Sequence, residues 1–105
     1  MEFVADMEYI IVRNTQGKVV PLEHDDVTAV IYSSLQYMGK TDRLLSLNLA
    51  DKVMYRLKIM RRADKHFDVR ELEQMIKFVL SECGYAEANQ YVSSLSEKMF
   101  AESHG

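Results

Sequence analysis

The alternation of apolar and polar residues near the start of the chain predicts a β-hairpin. Residues Tyr9–Arg13 alternate in the two-residue repeat of a strand with one buried face. A turn is predicted at Asn14–Gly17, because glycine permits the positive φ that a tight turn needs. A second strand, Lys18–Val20, follows it. Since Pro21 cannot donate a backbone hydrogen bond, we expect this strand to end there or to lie at a sheet edge.

After the hairpin, apolar residues recur at helical spacing in four segments. The predicted helices run from about Asp25 to Met38, from about Leu44 to Met60, from Val69 to about Glu82 and from about Tyr85 to about Phe100. Gly39 and Gly84 are suited to the position just after a helix. Asp68, followed three residues later by Glu71, matches a variant of the N-terminal capping box.

These elements predict one α+β domain, mainly α, in which a β-hairpin packs on a four-helix bundle. We expect residues 1–8 to be a flexible N-terminus, residues 9–100 to be the domain and residues 101–105 to be a flexible tail. A length of 105 residues suits a single hydrophobic core. The segment Ala63–His66 is predicted to be a polar loop between the second and third helices.

Composition and charge narrow the possible partners. The net charge of −3 gives no general reason to expect binding to nucleic acid or to a membrane surface. No apolar run approaches the roughly 20 residues that span a bilayer. Cys83 is the only cysteine, so neither an intramolecular disulfide nor a multi-cysteine zinc site is possible. We therefore predict a cytoplasmic protein without membrane contacts.

No established catalytic motif is present, so we predict that the protein is not an enzyme. The sequence contains no Walker-type loop, no HExxH and no nucleophile elbow. His24, His66 and His104 lack the spacing of metal ligands, and we predict solvated or capping roles for them. Cys83 is interpreted as a buried, unreactive thiol.

Two charged clusters each allow two interpretations. Glu23, Asp25 and Asp26 suit the N-terminus of the first helix, where carboxylates complement the helix dipole. The same cluster could instead bind a divalent metal completed by a nucleotide phosphate. Lys52 and Arg56 lie one helical turn apart, and a solvated surface is the default interpretation. They become candidates for phosphate binding if that turn lies beside the hairpin.

Three segments together resemble a known family. Ile11–Glu23 has the sequence IVRNTQGKVVPLE, Asp68–Leu80 has the sequence DVRELEQMIKFVL, and Gly84–Tyr85 is followed by ANQYV at Ala88–Val92. In this order they resemble the ATP-cone, the regulatory nucleotide-binding module of many ribonucleotide reductases and of their bacterial repressor. The resemblance covers about residues 9 to 95.

This resemblance implies a regulatory module that binds ATP or dATP, with Mg²⁺ as a further candidate ligand. In the family, the nucleotide lies under the hairpin and against the ends of the helices. A Lys-Arg pair in the turn contacts its phosphates, as does a lysine near the start of the first helix. The implied partners of this chain are therefore a nucleotide, together with a partner enzyme or a second copy of the chain.

The turn differs from the family pattern and allows two alignments. If Thr15 and Gln16 are an insertion, Val12 and Arg13 occupy the Lys-Arg positions; otherwise Asn14 and Thr15 do. Asp26 replaces the lysine of the first helix. Lys18, Lys52 and Arg56 are candidate replacements as phosphate partners. The predicted nucleotide-binding residues are Val12, Arg13, Asn14, Gly17, Lys18, Lys52 and Arg56.

The same departures support an alternative function. The domain would then be a degenerate cone that no longer binds nucleotide and that serves in protein–protein interaction or oligomerisation. Tyrosine and methionine side chains on the surface would supply the contact, and the candidates are Tyr32, Tyr37, Tyr55 and Met60.

Overall fold

The computed structural model describes residues 10–60 and 66–102. The described part is an α+β domain, mainly helical, with four α-helices and one three-stranded sheet. Its elements are β1 (Ile11–Arg13), β2 (Val19–Pro21), α1 (His24–Gln36), α2 (Arg43–Met60), β3 (His66–Asp68), α3 (Val69–Glu82) and α4 (Asn89–Glu102), with a 3₁₀ turn at Ala86–Ala88 before α4.

The sheet has the order β2-β1-β3, with β1 antiparallel to β2 and parallel to β3. β1 and β2 pair across the predicted turn; β1 is two residues shorter than predicted, and β2 begins and ends one residue later than predicted. Pro21 ends β2 at the edge of the sheet, as its missing N–H group requires. The prediction that His66 belongs to a polar loop was wrong, because it begins β3.

One row of side chains attaches the sheet to the helices. Val12 faces Val20 on one side and Phe67 on the other, and all three side chains are buried. The rows before and after them lie on the opposite face, since successive residues of a strand alternate. Ile10 and Leu22, just outside the strands, extend the same buried face, which packs on the helical core.

The helices enclose one hydrophobic core. α1 contacts α2 and α4, and α3 contacts the same two helices. The predicted apolar positions supply most of this core, as helical periodicity requires. Its helical members are Val27, Val30, Ile31, Leu35, Leu49, Ala50, Val53, Leu57, Val69, Leu72, Ile76, Val79, Leu80, Val92 and Phe100.

The ends of α1 and α3 follow from local sequence. α3 begins with the predicted capping box, in which the Asp68 N–H group donates to Glu71 at 3.0 Å. Both helices end before a glycine with positive φ, +80° at Gly39 and +92° at Gly84. In each case the next N–H group donates back to a carbonyl five residues earlier, which closes the last turn.

Several predicted boundaries shift. α1 ends at Gln36 instead of Met38, and the region predicted as the start of the last helix forms the 3₁₀ turn. α4 continues to Glu102, two residues into the segment predicted to be a flexible tail. The predictions for residues 1–8, 63–65 and 103–105 lie outside the described residues. Among the described helices, none combines the length and the apolarity that crossing a membrane requires.

Candidate functional site

The seven predicted nucleotide-binding residues fall into two groups. Val12, Arg13, Asn14, Gly17 and Lys18 belong to the hairpin. Lys52 and Arg56 lie on α2, where they line a cavity of about 510 Å³ together with Glu82 and Cys83.

The two groups lie against opposite ends of α3. Arg13 shares a cavity with Val69 and Arg70, in the first turn of α3, whereas Lys52 shares one with Glu82 at its last residue. A helix of 14 residues is about 20 Å long. The condition set for Lys52 and Arg56, that they lie beside the hairpin, is therefore not met.

Arg13 and Asn14 of the hairpin group line a smaller cavity, which we call the turn cavity. It has a volume of about 290 Å³, and the residues that line it are Arg13, Asn14, Thr15, Asp68, Val69 and Arg70. Two of its three charged side chains are arginines, so its local charge is positive although the net charge of the protein is negative. The N-terminus of α3 adds its partial positive charge to the same place.

Arg13 is held only loosely in this cavity. Its guanidinium lies 3.8 Å from the carboxylate of Asp68, and both side chains are about half exposed. The two residues are cross-strand neighbours in β1 and β3, which explains the contact. An exposed ion pair of this kind contributes about 0–1 kcal/mol, so Arg13 can exchange its partner at low cost.

Asn14 has a structural role in the turn. Its side-chain oxygen accepts hydrogen bonds from the backbone N–H groups of Gln16 and Lys18, each at 2.9 Å. Its amide nitrogen donates to the carbonyl of Phe100 near the end of α4, at 3.3 Å. The residue is 6% exposed. These bonds fix the turn and attach it to α4, and they occupy both ends of the amide.

The other hairpin residues differ in accessibility. Val12 is completely buried in the core and offers no side-chain surface to a ligand. Gly17 has a φ of +85° and completes the turn, as predicted. Lys18 is exposed beside it. Only Arg13 and Lys18 therefore present a charged group of the hairpin to solvent.

The acidic cluster at the start of α1 is arranged for capping. Glu23 and Asp26 form a reciprocal capping box, with the Glu23 N–H group donating to Asp26 at 3.1 Å. Asp25 adds a further negative charge to the first turn. Among the described residues, no group of three potential ligands could hold a metal ion.

His24 connects α1 to α2. Its Nε2 lies 2.6 Å from the carboxylate of Asp51, and its Nδ1 lies 3.3 Å from the hydroxyl of Thr28. A carboxylate, an imidazole and a hydroxyl in this order resemble a nucleophilic triad. However, the hydroxyl of Thr28 donates its hydrogen to the backbone carbonyl of His24 at 3.0 Å, so this hydrogen is directed away from the ring. The contacts are those of a helix–helix link.

The α2 group is engaged in contacts with α3. Arg56 forms an ion pair with Glu82 at 2.9 Å, and its guanidinium lies 4.8 Å from the centre of the Phe78 ring. Cys83 is half-buried at the same end of α3. Unlike Arg13, Arg56 is therefore held by a close carboxylate and an aromatic ring.

Glu73 is a buried carboxyl group between α3 and α4. It is 4% exposed, and its Oε2 accepts no hydrogen bond from the described part of the chain. Burial raises the pKa of Glu73 above its ordinary value of 4.5, and the negative charge of Glu97 acts in the same direction. A hydrogen bond from Ser93 and the charge of Lys77 oppose this increase.

The raised pKa of Glu73 affects stability. Because the folded protein holds this proton more tightly than the unfolded chain, the protonated carboxyl stabilises the fold. The contribution is fully present below the unfolded pKa, and it is lost as the pH rises through the folded pKa. Above the folded pKa, the ionised carboxylate is therefore a cost to stability.

Asp68, Val69 and Arg70 line the turn cavity but were not predicted as site residues, and Arg70 is the cation among them. It lies in the second position of α3, within the segment that resembles the family. The pairing of β1 with β3 brings this turn of α3 beside the hairpin. Only the missed strand β3 could have indicated that proximity.

Comparisons with protein-family models, with curated proteins and with solved structures find no match.

Proposed function

We propose that the chain is a regulatory nucleotide-binding module of the ATP-cone type, a hairpin on a four-helix bundle without catalytic activity of its own. The phosphates of ATP or dATP would bind in the turn cavity. One observation carries this proposal: Arg13 from β1 and Arg70 from α3 line a single cavity at a helix N-terminus.

The electrostatics of the cavity suit an anion. Arg13 can exchange the distant carboxylate of Asp68 for a phosphate oxygen, since the present pair is exposed and weak. Arginine binds phosphate through paired N–H groups, which adds direction to the attraction. Asp68 is the carboxylate that lines the cavity, and it is the residue we expect to meet a magnesium ion accompanying the nucleotide.

The size of the cavity limits what it can enclose. A volume of about 290 Å³ lies at the lower end of ordinary ligand pockets, which suits a phosphate group better than a whole nucleotide. The inner face of the sheet is filled by Val12, Val20 and Phe67. We therefore place the phosphates at the edge of the hairpin, with the ribose and base extending outwards near Lys18.

Calorimetric titration with ATP, dATP and ADP in the presence of Mg²⁺ tests the proposal. We expect binding in the micromolar range, lost in Arg13→Ala and in Arg70→Ala. Lys52→Ala is the matched control, because it removes a positive charge at the opposite end of α3. At a concentration of about 100 times the Kd, the nucleotide should add about 2.7 kcal/mol to the free energy of unfolding. No heat and no stabilisation with any of the three nucleotides would refute the proposal.

Regulation needs a second measurement, because a ligand shifts an equilibrium only when it binds the two states differently. Light scattering with and without nucleotide would report a change in the oligomeric state. A bound nucleotide that leaves the mass unchanged would direct the search to a partner enzyme.

The second candidate function is a protein–protein interaction or oligomerisation domain, the degenerate cone. It is favoured by exposed apolar side chains on α2 and α3, which include Tyr55 and Met60. Of the other candidates, Tyr32 is half-buried, and Tyr37 stacks on Tyr91 with ring centres 4.2 Å apart. The expected contact surface is thus centred on α2 instead of being spread over four residues.

A further inference from the structure

The outer side of α2 and α3 carries large apolar side chains that the core does not use. Tyr55, Ile59 and Met60 are 65%, 53% and 46% exposed, and Phe78 on α3 is 47% exposed. We call this surface the α2–α3 face. It also contains Lys52 and Arg56 on α2, and Glu71, Gln74, Met75 and Glu82 on α3.

These residues form two adjacent helical stripes. On α2 they recur at intervals of three and four residues from Lys52 to Met60, and on α3 they do so from Glu71 to Phe78. The core residues of α2, such as Val53 and Leu57, lie on a different side. Tyr55 and Ile59 therefore give α2 a second apolar side, which the described part of the chain leaves exposed.

The face is grooved along its length. One cavity of about 510 Å³ lies near Lys52 and Glu82, and another of about 470 Å³ lies between Met60 and Gln74. Arg56 lines both, so the two cavities are adjacent, with the Arg56 side chain between them. The order of the contacts shows that α2 and α3 run antiparallel on this side.

The charges of the face are separated by helix. The α2 stripe contributes the basic residues Lys52 and Arg56, and the α3 stripe contributes the acidic residues Glu71 and Glu82. Arg56 and Glu82 also pair with each other within the chain at 2.9 Å, so Lys52 is the basic residue with which the second copy's Glu82 would form a new contact. The four formal charges cancel. A surface that is neutral overall, with one sign on each side of a groove, is complementary to a rotated copy of itself.

We propose that the α2–α3 face binds a second copy of this chain, about a two-fold axis that runs along the groove. Such an axis places α2 of each copy over α3 of the other. Residues at the same height along the groove then face each other, so Lys52 meets Glu82 of the second copy, and Tyr55 lies over its Phe78. An axis across the groove would place the basic helices against each other. The charges therefore select the first arrangement.

The exposed apolar area is consistent with this partner. A half-exposed side chain of this size presents on the order of 100 Å². Four of them supply roughly 400 Å², about half of the ~800 Å² that each partner contributes to a standard interface. The charged and polar residues at the margins of the groove would supply the remainder. The inference rests on the second candidate function and requires no nucleotide.

Exchange of opposite charges across the axis tests the proposed geometry. The mass of the wild-type chain, Lys52→Glu and Glu82→Lys would be measured by analytical ultracentrifugation without nucleotide, up to about 100 µM. We expect the wild type to dimerise. Each variant should raise the dissociation constant on the order of tenfold or more, because two attractive contacts become repulsive. Circular dichroism would verify that each variant is folded.

The decisive sample is the equimolar mixture of Lys52→Glu with Glu82→Lys. In the mixed dimer both symmetry-related contacts are again between opposite charges, so we expect the mixture to dimerise as the wild type does. If each substitution weakened the dimer only through an effect within its own chain, mixing the two variants would not restore dimerisation. A monomeric wild type, or a mixture as weak as its components, would overturn the proposal.

Apolar substitutions test the same face independently of charge. Ile59→Ser should weaken the dimer on the order of tenfold, whereas Leu44→Ser should not. Leu44 is the matched control because it is 67% exposed on the same helix but does not line the groove. Equal behaviour of the two variants would refute the placement of the interface. Since every measurement is made without nucleotide, failure of the nucleotide-binding proposal leaves these results unaffected.

Discussion

Replacement of Asn14 by alanine should destabilise the fold, because Asn14 joins the hairpin turn to the end of α4. The substitution removes the two hydrogen bonds that the side chain accepts from Gln16 and Lys18, and the one that it donates to Phe100. All three hydrogen bonds are lost at a position that is 6% exposed, where water cannot fully replace them.

The magnitude follows from these three bonds. Each intramolecular hydrogen bond contributes about 0.5–1.5 kcal/mol net, and the bond to Phe100 is the longest of the three at 3.3 Å. We therefore expect Asn14→Ala to lower the free energy of unfolding by about 3 kcal/mol. For a domain of this size, that corresponds to a melting temperature lower by between about 10 and 20 °C.

Thermal and urea denaturation, followed by circular dichroism without nucleotide, would measure this loss. Thr15→Ala is the matched control, because it lies in the same turn and is exposed. We expect the control to change stability by less than about 0.5 kcal/mol. If Asn14→Ala were equally mild, the assignment of a structural role to Asn14 would be wrong, and its predicted role in nucleotide binding would regain support.

Two further substitutions test the core and the buried carboxyl group. Glu73→Gln should stabilise the protein at pH values above the raised pKa of Glu73, because it removes a charge that is costly to bury; the difference from wild type should shrink as the pH falls through that pKa. Denaturation measured at several pH values checks this, and a difference that is independent of pH would contradict it. Phe67→Ala should cost about 3–5 kcal/mol because Phe67 is 3% exposed, whereas the half-exposed Phe78→Ala should cost much less. Equal urea midpoints for these two variants would show that Phe67 does not anchor the sheet.

Local signals in the sequence account for the helices. α3 has its predicted bounds because an apolar repeat, a capping box and a terminal glycine all agree. β3 was missed for the opposite reason. It has three residues, one of them apolar, so it offers no alternation to detect. The strand exists because Phe67 pairs beside Val12, which is a contact between distant parts of the chain.

The candidate site also depends on contacts between distant parts of the chain, which the sequence pattern does not reveal. Arg13, Lys52 and Arg56 were predicted together as nucleotide-binding residues, but the structure places Arg13 at one end of α3 and the other two near the opposite end. The pairing of β3 with β1 decides which end of α3 lies beside the hairpin. No local sequence pattern specifies this pairing. Arg70 was overlooked because, in the sequence, it is simply a charged residue in the first turn of a helix.

The pairing of β1 with β3 also has a consequence for the newly made protein. Phe67 follows its neighbour Val12 by about 55 residues. At roughly 5–20 residues per second, the ribosome needs several seconds to produce that stretch. During this interval the edge of β1 that will receive β3 is an unpaired strand edge, to which another extended segment could bind. The hydrogen bond from Asn14 to Phe100 forms later still, because Phe100 lies 86 residues further along the chain. The hairpin is thus synthesised before the other described elements of the domain, and it is among the last of them to be fully secured.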